Sequence, residues 1–102
     1  MNNRINGYLG LANRAGKALV GEAITKVWVK RKIYLLIMAE DAVSKTQEKL
    51  AKIAREQNIT IIYAFSKAEL GHALGFDEVS TVAISDKGLA SAIISVIKED
   101  NK

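Results

Sequence analysis

The chain has 102 residues, of which 49% are hydrophobic, so it can form one compact core and is too short for two. It contains no cysteine, which excludes a disulfide framework and a zinc-finger ligand set, and no apolar run approaches the roughly 20 residues that a membrane span requires. Because Met1 is not followed by the long apolar segment of a secretory signal, we expect a single cytoplasmic domain over residues 1–102, without a membrane partner.

The formal net charge of +4 is concentrated in the first third of the chain. Residues 1–32 carry seven basic side chains and one acidic side chain, a net charge of +6, whereas the remaining seventy residues have a net charge of −2. Such a one-sided excess is typical of a surface that binds a polyanion, because neutralising phosphates releases condensed counterions. A solubilising surface is the alternative, and charge alone does not choose between the two.

The first elements alternate between helix and strand. Residues 3–14 carry apolar side chains at helical spacing, and Gly16 is placed to end this first helix. The apolar residues 18–20 predict a short strand, and residues 22–31 predict a second helix.

The middle of the chain predicts a buried strand followed by a capped helix. The run from Ile33 to Ala39 is continuously apolar and ends at charged residues, which suits a central strand buried on both faces. Ser44 with Gln47 is a capping-box pattern that opens a third helix, and Asn58 can close it.

The last part of the chain predicts two further strands and two further helices. Residues 60–64 predict a strand, and Ser66 with Glu69 is a second capping-box pattern that opens a short fourth helix, which Gly75 can end. Residues 81–85 predict the last strand, before a final helix. The alternation predicts an α/β fold, a three-layer α/β/α sandwich with a mixed sheet of about four strands and about five helices.

Side chains that could support catalysis are few. His72 is the single histidine and lies in the short fourth helix, where a structural or surface role is the more common one. Glu40 and Asp41 follow the predicted central strand and could hold Mg²⁺, but they alternate faces and no phosphate-binding loop accompanies them. We therefore interpret them as a polar strand end, and expect no catalytic residue, no metal and no cofactor.

The second helix is the strongest candidate for a binding surface. At about 100° per residue, Ile24 and Trp28 face one side of this helix, and Lys26 and Lys30 face the other side as i,i+4 neighbours. The third helix alternates acidic and basic residues, whereas Glu22 is the single acid on the second. A binding role is favoured over a merely solvated face.

The connection before this helix extends the same candidate surface. Gly21 allows another backbone to approach the first turn closely, and the free N–H groups of a first turn favour phosphate or other acceptors. Arg14 and Lys17 flank the preceding connection and add positive charge.

Several stretches of the sequence resemble a known family. The stretches are Leu9-Gly-Leu-Ala-Asn-Arg-Ala-Gly-Lys17, Gly21-Glu-Ala-Ile-Thr-Lys26, Leu35-Leu-Ile-Met-Ala-Glu-Asp41 and the helix from Ser66 to Gly75 with the apolar strand after it. In this order they resemble the kink-turn RNA-binding ribosomal proteins of the seven-Ae and thirty-e type over almost the whole chain. The first stretch favours the bacterial YlxQ-type branch.

The resemblance implies a non-catalytic RNA-binding domain that recognises a kink-turn, a sharply bent internal loop of RNA. In this family the start of the second helix contacts tandem sheared G·A pairs, a lysine further on contacts phosphate, and the loop after the fourth helix covers an extruded nucleotide. The corresponding residues of this chain are Gly21, Glu22 and Ala23 at the helix start, Lys26, and the loop residues Gly75, Phe76, Asp77, Glu78 and Val79.

The sequence departs from the family pattern at two places. An Asn-Glu pair that contacts the bases falls at Glu22 and Ala23, where the carboxylate can only accept hydrogen bonds and the methyl group can do neither. Asp77 and Glu78 add negative charge to the covering loop. General RNA binding survives these departures better than strict kink-turn specificity.

The expected partner is therefore structured RNA, an rRNA or mRNA kink-turn, bound by a monomer that is ribosomal or ribosome-associated. The alternative is a protein-interaction or regulatory domain of the same fold that does not bind RNA.

Overall fold

The computed structural model describes residues 3–42 and 44–100, so the ends of the predicted domain 1–102 lie outside it. The described chain forms, in order, α1 (Asn3–Arg14), β1 (Ala18–Val20), α2 (Glu22–Trp28), β2 (Leu35–Met38), α3 (Lys45–Glu56), β3 (Thr60–Tyr63), α4 (Lys67–Leu74), β4 (Thr81–Ile84) and α5 (Lys87–Asp100). No helix within these ranges is long and apolar enough to cross a membrane.

The four strands form one mixed sheet with the order β1-β4-β2-β3. β2 and β3 are parallel, with Leu36 opposite Ile61, whereas β4 is antiparallel to both β1 and β2. Parallel β2 and β3 are joined by α3, as a crossover connection requires. The mixed sheet agrees with the prediction.

Helices cover both faces of the sheet. Alternate residues of β2 point to opposite faces, so they join different buried clusters. Leu35 and Ile37 join a buried cluster with residues of α1, α4 and α5. Leu36 and Met38 join a second cluster with residues of α2 and α3. All four strand residues are buried, so β2 is the central strand that its continuous apolar run predicts. The three-layer α/β/α sandwich is confirmed.

Several helices and strands are shorter than the sequence predicted. α2 ends at Trp28 and not at residue 31, because the backbone N–H groups of Lys30 and Arg31 both donate to the Val27 carbonyl and close the helix in a turn. The central strand is Leu35–Met38 within the predicted 33–39, and the strands predicted over 60–64 and 81–85 each end one residue earlier.

The two predicted capping boxes have different outcomes. At α4 the box is complete: the Ser66 hydroxyl accepts from the Glu69 backbone, and the Glu69 carboxylate accepts from the Ser66 backbone. At α3 only half of it forms, with the Ser44 hydroxyl accepting from the Gln47 backbone at 3.1 Å. The Gln47 side chain is buried and donates to the Ser80 carbonyl at 2.9 Å, which ties α3 to the segment before β4.

Residues with positive φ end two helices as predicted. Gly75 ends α4 with φ of 84°, and Gly16 follows α1 with φ of 72°. Asn58, predicted to close α3, also has a positive φ, of 57°, and lies two residues beyond the end of the helix. Glycine reaches this conformation without steric cost, and asparagine tolerates it better than most residues.

Candidate nucleic-acid interface

The turn from β1 into α2 exposes the first residues of the helix. Gly21 precedes the helix with φ of 59° and ψ of −138° and, as a glycine, has no side chain to cap the first turn. Ile24 is fully buried and fastens the helix to the sheet, while Glu22 and Ala23 are exposed. The predicted helix start is therefore accessible, with a glycine where the backbone needs a positive φ.

The outer side of α2 is basic and solvent-exposed. Lys26 lies in the last turn, and Lys30 lies two residues beyond the end of the helix, in the turn that closes it. Both side chains are exposed, and neither takes part in an ion pair within residues 3–42 and 44–100. The prediction that Lys26 and Lys30 lie on adjacent turns of one helix is therefore wrong, because α2 ends before Lys30. Both side chains are nevertheless free to contact an anion.

The connection between α1 and β1 lies at the far end of α2. Because the chain reverses at Gly21, the end of α2 returns toward the start of β1, and the Arg31 guanidinium donates to the Gly16 carbonyl at 3.3 Å. Lys17 is half-buried, and its carbonyl accepts from the Ser85 backbone at 2.9 Å. Arg14 is exposed, and its guanidinium folds back beside Gly10. These cations lie apart from the helix start.

The loop between α4 and β4 folds back against its own helix. The Phe76 backbone donates to the Gly71 carbonyl at 2.8 Å, and the Val79 backbone donates to the Lys67 carbonyl at 3.0 Å. Gly71 makes this possible, because a Cβ there would lie 2.7 Å from the Asp77 carbonyl oxygen and 2.8 Å from that of Phe76. The loop conformation thus depends on a glycine inside α4.

The predicted loop residues differ in exposure. Phe76 is 51% exposed, an unusual position for a large aromatic side chain, and Asp77 is exposed beside it. Glu78 is exposed and pairs with Lys67 at 3.2 Å, which offsets its negative charge. Val79 is only 6% exposed and packs into the core below α4. Phe76 is therefore the large apolar group that this loop presents outward.

Two clefts meet at Gly21. The smaller one, which we call the loop cleft, has a volume of about 210 Å³ and is lined by Val20, Gly21, Phe76, Glu78, Val79, Ser80 and Thr81. The larger one, the α2–α3 cleft, has a volume of about 540 Å³ and is lined by Gly21, Glu22, Thr25, Ser44, Thr46, Lys49, Leu50 and Ser80. Gly21 and Ser80 border both clefts.

The fold thus brings together residues that are more than fifty positions apart in the chain. Gly21 from the helix start and Phe76 and Glu78 from the loop line one cleft, although sequence alone joins them only through the family resemblance. Of the described lining residues, none of the predicted cations Arg14, Lys17, Lys26 or Lys30 belongs to either cleft.

Asp41, the second of the two acids after β2, has a structural role. The Asp41 carboxylate accepts a hydrogen bond from the Lys67 backbone at 2.8 Å, at the first residue of α4. Within the described ranges, no cluster of three metal-ligating side chains occurs. His72, on the exposed side of α4, borders a shallow cleft between α1 and α4 on the other layer of the molecule.

Sequence reasoning missed three residues that shape the site. Gly71 has a recognisable signal, since an isolated glycine inside a helical pattern indicates close backbone approach. Lys49 has no recognisable signal in the sequence, because its spacing on α3 does not reveal that it lies beside α2. Gln47 appeared to be a capping residue, and only the fold shows that it contacts Ser80.

Comparisons with known proteins bear on this surface. The profile of the Ribosomal protein L7Ae/L30e/S12e/Gadd45 family matches residues 3–94, which include every predicted site residue. The chain is 32% identical over 90 residues to the RNA-binding protein YlxQ of Bacillus subtilis, with 87% of this chain and 90% of that protein covered.

Two solved structures are similar. A protein of unknown function from Bacillus halodurans has a TM-score of 0.84 at 26% identity, with 95% of this chain and 99% of that chain covered. The Giardia lamblia 15.5kD RNA binding protein has a TM-score of 0.69 at 17% identity, with 97% and 89% covered. The second likeness supports the fold alone.

Proposed function

The chain belongs to the Ribosomal protein L7Ae/L30e/S12e/Gadd45 family, and from this premise we propose that it is an RNA-binding domain that recognises a kink-turn. Its similarity to the RNA-binding protein YlxQ supports this class of partner. Membership of this family and that similarity also agree with the expectation that the chain is not an enzyme.

The observation that carries the proposal is the meeting of the helix start and the covering loop at one cleft. Gly21 and Phe76 line this cleft together, and Glu22 follows Gly21 as the first residue of α2. A helix start that contacts base edges and a loop that covers a neighbouring nucleotide must lie side by side to act on one RNA bend. We therefore assign base contacts to Glu22 and the covering role to Phe76.

The basic residues fit the backbone of the same RNA. Lys26 and Lys30 are exposed and free of acidic partners within the described residues, so they can neutralise phosphates at no cost of a broken ion pair. We assign phosphate contacts to these two lysines. Arg14 and Lys17 lie at the far end of α2, and we assign them to the outer part of the RNA stem.

The acidic loop is less unfavourable to RNA than its sequence indicates. Glu78 is paired with Lys67 at 3.2 Å, so this part of the loop presents a neutral pair rather than a carboxylate. Asp77 remains as an exposed negative charge. We propose that the monomer binds rRNA or mRNA as a ribosomal or ribosome-associated factor, with Phe76 covering an extruded base.

Amide chemical shifts can map the proposed surface directly. Titrating the ¹⁵N-labelled protein with a kink-turn RNA should shift Gly21, Glu22 and Ala23 together with the loop from Gly75 to Val79. Residues on the outer face of α5, such as Ser91, should not move. If the shifts spare the helix start, the assignment of base contacts is wrong. If no amide shifts, a protein-interaction domain of the same fold becomes the better explanation.

A further inference from the structure

We propose that the α2–α3 cleft is a second RNA subsite, which holds the sugar–phosphate backbone of a strand leaving the helix start, with Lys49 as its phosphate contact. This inference rests on the proposed function and extends it to α3, which carries none of the site residues predicted from the sequence.

The shape of the cleft suits a strand of nucleic acid. Its volume of about 540 Å³ falls within the range of about 300–1,000 Å³ that ligand pockets usually have. One wall is the first turn of α2 and the other is the first half of α3. Because Gly21 and Ser80 also border the loop cleft, a strand that contacts the helix start can continue directly between the two helices.

The side chains that line the cleft suit the sugar–phosphate backbone of RNA better than a stacked base. Bases bound by proteins commonly stack on aromatic side chains, and the described lining of this cleft includes no aromatic residue. It offers the hydroxyl groups of Thr25 and Thr46, on opposite walls, which can both donate and accept hydrogen bonds. A ribose 2′-hydroxyl has the same dual character, so these groups match the sugar of RNA.

The charge of the cleft is balanced between one cation and one anion among its described lining residues. Lys49 supplies the cation from α3 and Glu22 the anion from α2. Lys49 is exposed and forms no ion pair within the described residues, so its ammonium group is not neutralised by Glu22 across the cleft. With Glu22 assigned to base edges, Lys49 is free to contact the phosphate that follows.

The neighbours of Lys49 on α3 provide a control. At about 100° per residue, Lys52 lies about 60° around α3 from Lys49, on the side away from Thr46 and Leu50, and it is exposed without lining the cleft. Lys49→Gln and Lys52→Gln remove the same charge from the same helix. Any difference between them therefore reports the position of the charge.

Salt-dependent binding of a kink-turn RNA tests the phosphate contact. Lys49→Gln should weaken binding about five- to tenfold at about 0.1 M salt and reduce the slope of log K against log salt by about 0.7–0.9, because one counterion fewer is released. Lys52→Gln should bind within about twofold of the wild type, because its ammonium group makes no direct phosphate contact. Equal effects of the two substitutions would overturn the subsite.

Strand cleavage gives a readout that does not depend on affinity. The chain contains no cysteine, so Thr46→Cys provides a unique attachment point for an iron–EDTA reagent inside the cleft. Bound kink-turn RNA should be cut at one short run of nucleotides next to the G·A pairs, whereas reagent on Ser91→Cys of α5 should leave the RNA intact. Cleavage equal to that from Ser91→Cys would overturn the subsite.

The two proposals fail in different ways. A wild-type protein that binds no RNA overturns both of them. Binding that is weakened by Lys26→Gln but unchanged by Lys49→Gln, with no cleavage from Thr46→Cys, leaves the proposed function in place and removes the α2–α3 subsite.

Discussion

Glu22 stands where the family pattern has a residue that both donates and accepts hydrogen bonds. Its carboxylate is exposed in the first turn of α2, at the edge of the α2–α3 cleft. If the carboxylate faces guanine edges, it accepts hydrogen bonds from their N–H groups and favours guanine over other bases. If it faces phosphates, its negative charge only repels them. The two roles predict opposite effects when the carboxylate is removed.

We predict that Glu22→Ala weakens binding of a kink-turn RNA and leaves binding of a straight duplex equal or stronger. The loss should be about 1–3 kcal/mol, the discrimination that a good base contact supplies. Fluorescence anisotropy at fixed salt measures both affinities. Glu56→Ala, an exposed acid at the end of α3, provides the control for a general change of charge. Tighter binding of both RNAs by Glu22→Ala would show that this carboxylate does not contact bases.

Gly71 is a second residue with a specific role, because the loop backbone packs where its side chain would be. We predict that Gly71→Ala destabilises the fold by about 1–3 kcal/mol, as overpacking against an inflexible backbone does. The amide resonances of Phe76 and Asp77 should shift as the loop moves away. Urea denaturation and an amide spectrum measure the two effects.

The control is a glycine on the outside of α1. Gly7 is exposed, and among the described residues nothing beyond its chain neighbours and the adjacent backbone of α1 lies within 4 Å of a Cβ placed there, so Gly7→Ala should stabilise the protein by about 0.5–1 kcal/mol through helix propensity. If Gly71→Ala is as stable as Gly7→Ala, the loop does not depend on the glycine.

At the level of elements, α2 is a short helix with one buried anchor. It has seven residues, of which Ile24 is buried, and the cations assigned to phosphate are Lys26 in its last turn and Lys30 in the turn that follows it. Because the Lys26 and Lys30 side chains are exposed and form no ion pair among the described residues, their substitution should change binding without changing the fold.

We predict that the double substitution Lys26→Gln with Lys30→Gln reduces the slope of log K against log salt by about 0.7–0.9 for each lost phosphate contact and weakens binding accordingly. Lys87→Gln with Lys98→Gln on α5 removes the same charge from the other layer and should change the slope little. Titrations at several salt concentrations give the slopes. Equal slopes for the two double variants would place the RNA elsewhere.

The order and type of the helices and strands could be predicted from the sequence, whereas the residues at which they end were predicted less accurately. The unbroken apolar run of β2 and the capping pattern at Ser66 are local signals, and local physics decides both. The end of α2 depends on how Lys30 and Arg31 turn toward the Val27 carbonyl, which apolar spacing does not reveal. Gln47 likewise donates to Ser80, thirty-three positions away.

At the scale of the whole molecule, the fold divides the basic first third of the chain between two layers. Arg4 lies on α1 and pairs with Glu99 of α5 at 2.8 Å, and the hydrogen bond and charge of Glu99 raise the pKa of Arg4. Lys26 and Lys30 belong to the opposite layer and have no such partner among the described residues. Net charge alone therefore overstates the cations available to a polyanion.

The candidate site could be predicted only in part from the sequence, because the fold brings together residues that are distant in the chain. Lys26 and the exposed helix start follow from spacing along α2, whereas Lys30 lies in the turn beyond the end of that helix. The neighbouring position of Gly21 and Phe76 depends on β1 pairing with β4, which follows the loop in the chain. The role of Lys49 depends on the packing of α3 beside α2.

The most direct test of kink-turn recognition is a comparative titration. The protein is titrated against a kink-turn RNA and against a straight duplex of matched length and composition, at one fixed salt concentration. We predict that the kink-turn RNA binds tighter by about 5- to 150-fold, the ratio that a guanine contact of about 1–3 kcal/mol produces. Equal affinities would contradict recognition of the bend, and no binding of either RNA would contradict an RNA-binding function.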